Sequence, residues 1–169
     1  MSAASVLDAM TEGEAREALT RCCGSSRWVA GMLSRRPFGD DASLERAADE
    51  VWATATPDDV REALSHHPEI GADLDELRRR FASTATWSSG EQSGVSAASD
   101  ETLHALRDGN RRYRERYGHT FVVCATGKSA DEMLALLRER ERNAPEHELS
   151  VAAAEQGKIT KIRLRKLSP

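Results

Sequence analysis

Of 169 residues, three are cysteine, five proline and eight aromatic: three Trp, two Tyr and three Phe. Two of the cysteines, Cys22 and Cys23, are adjacent, so no sensible disulfide framework can be drawn. The chain has little valine and isoleucine, 11 together against 40 alanine and leucine. Branched side chains suit a pleated surface, whereas Ala and Leu suit helices, so a β-rich fold is disfavoured and an all-α fold is expected. Apolar runs fall far short of the ~20 residues needed to span a bilayer. The first residues, MSAASVLDAMTEGEAREAL, show no basic stretch followed by an apolar one. No secretory signal is read there, and a cytoplasmic protein without membrane association is expected. A strong charge of one sign is also lacking, with 28 acidic and 24 basic residues and a net charge of −4. That balance argues against dependence on nucleic-acid phosphates.

What is present is helix punctuation. Thr11 with Glu14, and Ser129 with Glu132, have the spacing of capping boxes. Thr56-Pro57-Asp58-Asp59 sets a cap, a proline at the first helical position and acids in the first turn. Ser99 or Asp100 opens a helix that Gly118 closes as a left-handed cap. Further helices are expected over 26–34, 43–53 and 145–167, the last carrying an apolar stripe of Leu149, Ala152, Ala153, Ile159, Ile162 and Leu167. Only 119–125 (HTFVVCA) reads as extended. Residues 82–99 are rich in Ser, Thr, Ala and Gly and read as a linker, a structured loop or a short helix. The expectation is one compact domain over 1–169, a bundle of about eight helices with one short extended segment.

Several chemical readings fail on spacing. Gly127-Lys128-Ser129 resembles the end of a phosphate loop, but the required first glycine falls at Val122. Ser129 is better read as a cap. His66 and His67 point ~100° apart on a helix, with no second ligand cluster at zinc spacing, so no metal is expected. The three cysteines read as small buried thiols. Arg111, Arg112, Arg114 and Arg116 around Tyr113 spread over several helix faces, which favours a solvated face with Tyr113 turned inward. Arg163 stands at the border of the apolar stripe, where it either snorkels or reaches into a pocket. His67-Pro68-Glu69-Ile70-Gly71 is the most unusual segment. Proline forces His67 out of helical geometry at a helix end, where the helix dipole favours an imidazolium able to donate a proton. A capping histidine is the alternative.

Taken in order, these segments resemble the OHCU decarboxylases of urate breakdown, which act on 2-oxo-4-hydroxy-4-carboxy-5-ureidoimidazoline. The pieces are Cys23-Gly24-Ser25 with Trp28; Arg36-Pro37-Phe38; His67-Pro68-Glu69-Ile70-Gly71; Ser88-Ser89-Gly90-Glu91-Gln92; Asn110 and Tyr113; Phe121-Val122-Val123-Cys124-Ala125-Thr126-Gly127-Lys128-Ser129; Arg140 with Asn143; Glu148; and 158–164. The resemblance implies an all-helical homodimer that needs no cofactor and yields (S)-allantoin and carbon dioxide. It further implies that His67 is the catalytic proton donor, with Glu91 and Arg163 as charged partners. Pro68, Ser88, Gln92 and the backbone of Phe121, Val122, Val123, Cys124 and Ala125 are implied substrate contacts. Two positions depart from the pattern: His119 stands where an apolar aromatic is usual, and Tyr117 where phenylalanine is common. The alternative kept open is a non-catalytic helical module that binds a protein or nucleic acid through 107–116 and the basic tail, 158–166.

Overall fold

Caps decide where the helices begin. In a computed structural model of the chain, which describes residues 1–69, 73–88 (82–88 by backbone only) and 99–168, nine helices occur among the described residues and no strand. They are α1 (Ala3–Ala9), α2 (Glu12–Cys22), α3 (Ser26–Leu33), α4 (Asp41–Trp52), α5 (Pro57–Ser65), α6 (Leu74–Ser88), α7 (Asp100–Tyr117), α8 (Ala130–Arg140) and α9 (Pro145–Arg165). Both partners of the Thr11–Glu14 box are engaged, as are those of Thr56 and Asp59, with Pro57 in the first turn. Ser99 is the cap of α7, and Gly118 closes it at φ 75°, a conformation that costs glycine little. Ser129 caps α8 through the Glu132 amide. Residues 119–125 carry no regular structure, so the extended segment forms no ladder.

The described residues form two compact units. The first is Met1–His67 with Leu149–Pro169. Its core joins Leu7, Leu19, Met32, Leu44 and the wholly enclosed Trp28, whose indole N–H donates to the Ala48 carbonyl at 3.2 Å. Burying an indole without that partner would leave an orphaned donor. On α2 the buried Ala15, Ala18, Leu19 and Cys22 recur every three or four residues, the apolar stripe of a helix with one face inward. Trp52 likewise donates to the Ala153 carbonyl at 2.8 Å, tying α4 to α9.

The second unit is Pro68–Glu148. Leu77, Phe81, Leu103, Leu106, Tyr113, Phe121 and Leu137 form its core. Gly109 on α7 lies against Leu137: a Cβ there would sit 2.6 Å from the leucine methyl. A side chain at 109 would therefore have to displace the Leu137 methyl. His119, the departure from the aromatic pattern, stacks on Tyr117 at 6.0 Å and meets Tyr113 edge-on at 5.5 Å. Its imidazole takes the place of an aromatic ring.

The buried face of α9 differs from the expected stripe. Glu148, Ala152, Gln156, Thr160 and Leu164 are buried at every fourth position, while Leu149, Ala153, Ile159, Ile162 and Leu167 are only half-buried. Three of the five enclosed residues are polar. Hydrophobic periodicity cannot find a face that is held by hydrogen bonds.

Candidate active site

His67 lies two residues beyond α5, in the connection to Pro68, as the proline predicts. It is half-buried, neither sealed in packing nor free in solvent. Its Nε2 sits 2.5 Å from Oε1 of Gln156, which is wholly buried on α9. Gln156 is in turn 3.0 Å from the Thr160 hydroxyl one turn later. Arg163, one further turn along, donates from Nη1 to the Arg21 carbonyl at 3.1 Å. The expected pairing of His67 with Arg163 is electrostatic: burial chiefly, then the charges of Arg163 and His66, hold the imidazole below its ordinary pKa, against the Gln156 bond. The helix end was expected to favour an imidazolium. Desolvation and a nearby guanidinium act the other way and favour the neutral ring.

Gly24 brings the end of α2 against this connection. A Cβ at 24 would fall 2.7 Å from Cβ of His66, closer than real side chains approach. Cys22 and Cys23 are buried beside it, and burial pushes both thiols up to about 11. They are unreactive thiols, as expected. Cys124 departs from that expectation in being half-buried. Among the described residues, no group of His, Cys, Asp and Glu is arranged to hold a metal ion.

In the second unit, residues 121–125 run past a buried ion pair. Arg140 and Glu148 meet at 2.6 Å, with side-chain exposures of 7% and 0%. Tyr113 donates to Glu148 Oε1 at 2.6 Å and Asn143 to Oε2 at 2.9 Å. Arg140 also donates to the Val122 carbonyl at 2.6 Å, and its guanidinium stands 4.5 Å over the Phe121 ring. Lys128 donates to the Cys124 carbonyl at 2.7 Å, and its own amide to the Ala125 carbonyl at 3.1 Å. Three of the five carbonyls in this segment are thus already occupied. The N–H groups of 121–125 find no backbone carbonyl among the described residues, so this segment is better suited to donate to a ligand than to accept from one.

Of the remaining expected contacts, Pro68 is exposed at the start of the second unit and Ser88 is the last residue of α6. Glu91, Gln92 and Gly71 lie outside the described residues. At Nε2 of His67 the hydrogen-bond partner is Gln156. Gln156, Thr160 and the Arg140–Glu148–Tyr113–Asn143 group escaped the sequence reading as working parts. The available signal was their spacing: 156, 160 and 163 share a helix face.

The basic helix has fewer free charges than its sequence suggests. Arg112 lies 3.4 Å from Glu141 and Arg107 3.2 Å from Asp108. In the tail, Lys161 meets Asp49 at 3.1 Å and Arg165 meets Glu45 at 2.6 Å. Tyr113 is turned inward, fully buried. No helix among the described residues is long and apolar enough to cross a membrane.

The family model described as OHCU decarboxylase matches residues 8–165. This chain belongs to the OHCU decarboxylase family. The uric acid degradation bifunctional protein TTL of Arabidopsis thaliana is 34% identical over 147 residues, 86% of this chain. The match spans 45% of that protein, less than half of its length. The 2-oxo-4-hydroxy-4-carboxy-5-ureidoimidazoline decarboxylase of Amia calva is 34% identical over 140 residues, 81% of this chain and 77% of that one. A crystal structure of OHCU decarboxylase in the presence of (S)-allantoin superposes with a TM-score of 0.69 at 34% identity, over 88% of this chain and 94% of that one. The all-helical architecture expected from composition is therefore that of the OHCU decarboxylase family.

Proposed function

We propose that this chain decarboxylates 2-oxo-4-hydroxy-4-carboxy-5-ureidoimidazoline to (S)-allantoin in urate degradation, with His67 controlling the proton. The observation that carries this reading is a half-buried imidazole bonded at one nitrogen by Gln156 beside the charge of Arg163, within a chain matched by the family over 8–165. That match runs through both units, which supports reading 1–169 as one catalytic domain. By analogy with the family, the active form is a cytoplasmic homodimer.

The chemistry asks little of a cofactor. The bond from ring carbon to carboxylate breaks and carbon dioxide leaves. Its electron pair becomes a double bond to the neighbouring ring carbon, whose C=N pair moves onto nitrogen, where a proton is taken up. The resulting enol loses its hydroxyl proton and gains one on the neighbouring carbon, which becomes the stereocentre of allantoin. A neutral imidazole serves both halves of that last step: it accepts the hydroxyl proton and returns it to one face of the ring. Such a group typically supplies ~10²–10⁴-fold in rate. Arg163 matches the departing carboxylate, because a guanidinium meets two oxygens in one plane. Glu91 is assigned to activate the substrate hydroxyl, and Pro68, Ser88, Gln92 and the amides of 121–125 to hold the ring.

The test is a coupled reaction from urate followed by circular dichroism. His67→Asn should fold and lose catalysed formation of optically active allantoin. Full-rate dextrorotatory product from that variant would remove His67 from the mechanism.

A further inference from the structure

An imidazole that shuttles a proton must present the correct nitrogen, and the buried face of α9 decides which one. Gln156 is fully buried and Thr160 nearly so, with 4% exposure, so their hydrogen bonds do not exchange freely with water. The Thr160 hydroxyl, which also hydrogen-bonds the Cys23 thiol, has two carbonyls in reach of its single proton: Gln156 O at 2.9 Å and Cys22 O at 3.4 Å. Both can only accept. Whichever of them takes the proton, the hydroxyl oxygen is left to accept, and the group facing it at 3.0 Å is therefore the Gln156 amide NH₂. The other end of that amide, Oε1, then faces His67 Nε2. A carbonyl oxygen accepts, so Nε2 must carry the hydrogen. With the amide reversed, the hydroxyl would donate to Oε1 and the amide to Nε2, closing two bonds in place of three.

We propose that Thr160 and Gln156 are positioning residues that fix His67 as the Nε2–H tautomer, leaving Nδ1 as the nitrogen that exchanges a proton with substrate. The inference about Nδ1 rests on the decarboxylase reading; the tautomer itself does not. Neither positioning residue touches a reacting atom in this account. Gln156 sets the ring and Thr160 sets Gln156, as an outer partner of a histidine commonly dictates its tautomer. The charges acting on the imidazole are Arg163 on the same helix face and His66 beside it in the chain. Cys22 and Cys23, buried at the end of α2, feel Arg163 as well, and Glu62 on α5 acts on Cys23. None of these accepts a hydrogen bond from Nε2, so they tune the ring's basicity without choosing its tautomer.

The experiment is a long-range proton–nitrogen correlation spectrum of the full chain with labelled histidine, without substrate, near neutral pH. The His67 signals are assigned by their loss in His67→Asn. The wild type should show a protonated Nε2 and a bare Nδ1. Gln156→Leu should give a mixture of tautomers and lower kcat on the order of 10²-fold, the loss that about an ångström of misplacement brings, with KM little changed. Gln156→Glu keeps an acceptor and adds a negative charge, so it should keep the Nε2–H form and move the acid limb of the pH–rate profile upward. Thr160→Val should resemble Gln156→Leu, and Thr160→Ser should restore the wild-type spectrum and rate, which a purely structural role would not require. A wild-type spectrum with the hydrogen on Nδ1, an unchanged tautomer in Gln156→Leu and Thr160→Val, or an unchanged pH–rate profile in Gln156→Glu, overturns the proposal. Failure of the wild type to act on freshly generated substrate would instead overturn the part played by Nδ1, while the spectrum still decides the tautomer.

Discussion

Glu148→Ala should be among the most damaging single changes in this chain, although the residue is not expected to touch substrate. The carboxylate is fully enclosed and meets Arg140, itself only 7% exposed, at 2.6 Å. It also accepts from Tyr113 at 2.6 Å and Asn143 at 2.9 Å. Removing it leaves a guanidinium inside the protein without a counter-charge, and two polar groups without an acceptor. Breaking a buried pair from one side costs roughly 3–5 kcal/mol. For a chain of this size, ~2–4 °C of melting temperature accompanies each kcal/mol, so a fall of roughly 6–20 °C is expected by calorimetry. Glu148→Gln should lose less, because the amide still offers Tyr113 an acceptor. The double variant Arg140→Met, Glu148→Met should be more stable than Glu148→Ala, since no charge is left stranded. It should nevertheless be slow, because the Val122 carbonyl loses its 2.6 Å bond from Arg140. A Glu148→Ala variant that melts within ~2 °C of the wild type, or a double variant less stable than it, would refute the reasoning.

Other perturbations follow from the same geometry. The folded pKa of His67 is depressed; above the ordinary value, about 6.5, folded and unfolded chains both hold a neutral ring, and as pH falls from there through the folded value the unfolded chain binds the proton first and stability drops. Denaturant midpoints on either side of that window should fall less in His67→Gln than in the wild type, and equal falls would show that His67 is not the group responsible. The wild-type rate should likewise be level at neutral pH and decline on the acid side with an apparent pKa below the ordinary one. Gly24→Ala places a methyl 2.7 Å from His66 Cβ. Overpacking of this kind costs ~1–3 kcal/mol, so it should lower both melting temperature and activity, and an active, undisturbed variant would show that the α5 end can yield. Activity measured after dialysis against chelator should be unchanged, because the substrate's own C=N bond receives the electrons; loss restored by a divalent ion would end the cofactor-free account.

How much of this was legible beforehand depended on whether a feature is local. Helix starts were legible because a cap is made within four residues: Thr11, Thr56, Ser99 and Ser129 all perform as their spacing implies. Two helices went unread for the opposite reason. The seven residues of α1 offer only the Ser2 cap, and α6 ends in a Ser-, Thr- and Ala-rich run whose local preference is weak. In α6, packing of Leu77 and Phe81 into the second unit's core supplies what propensity does not. The site divides along the same line. His67 was visible because Pro68 marks the chain beside it. Gln156 and Thr160 were not, because a polar residue on an inward helix face looks like any solvated one until its partner, 89 residues away in the case of His67 and Gln156, is brought to it.

That asymmetry bears on how the site works. A histidine advertised by its own backbone is held by residues that show no local signature, and those residues lie on one helix face with Leu164 and Ala152 as the only apolar members among the five enclosed. Such a face contributes less burial energy than an apolar one, and its hydrogen bonds net only ~1 kcal/mol each. Replacing Gln156 by Leu could therefore leave stability nearly unchanged, or raise it, while catalysis falls. Paired measurements of melting temperature and kcat on Gln156→Leu separate the two: a parallel decline of both would mean that the polar face is there to hold the fold, whereas a stable, slow variant would mean that the fold gives up packing to hold the imidazole.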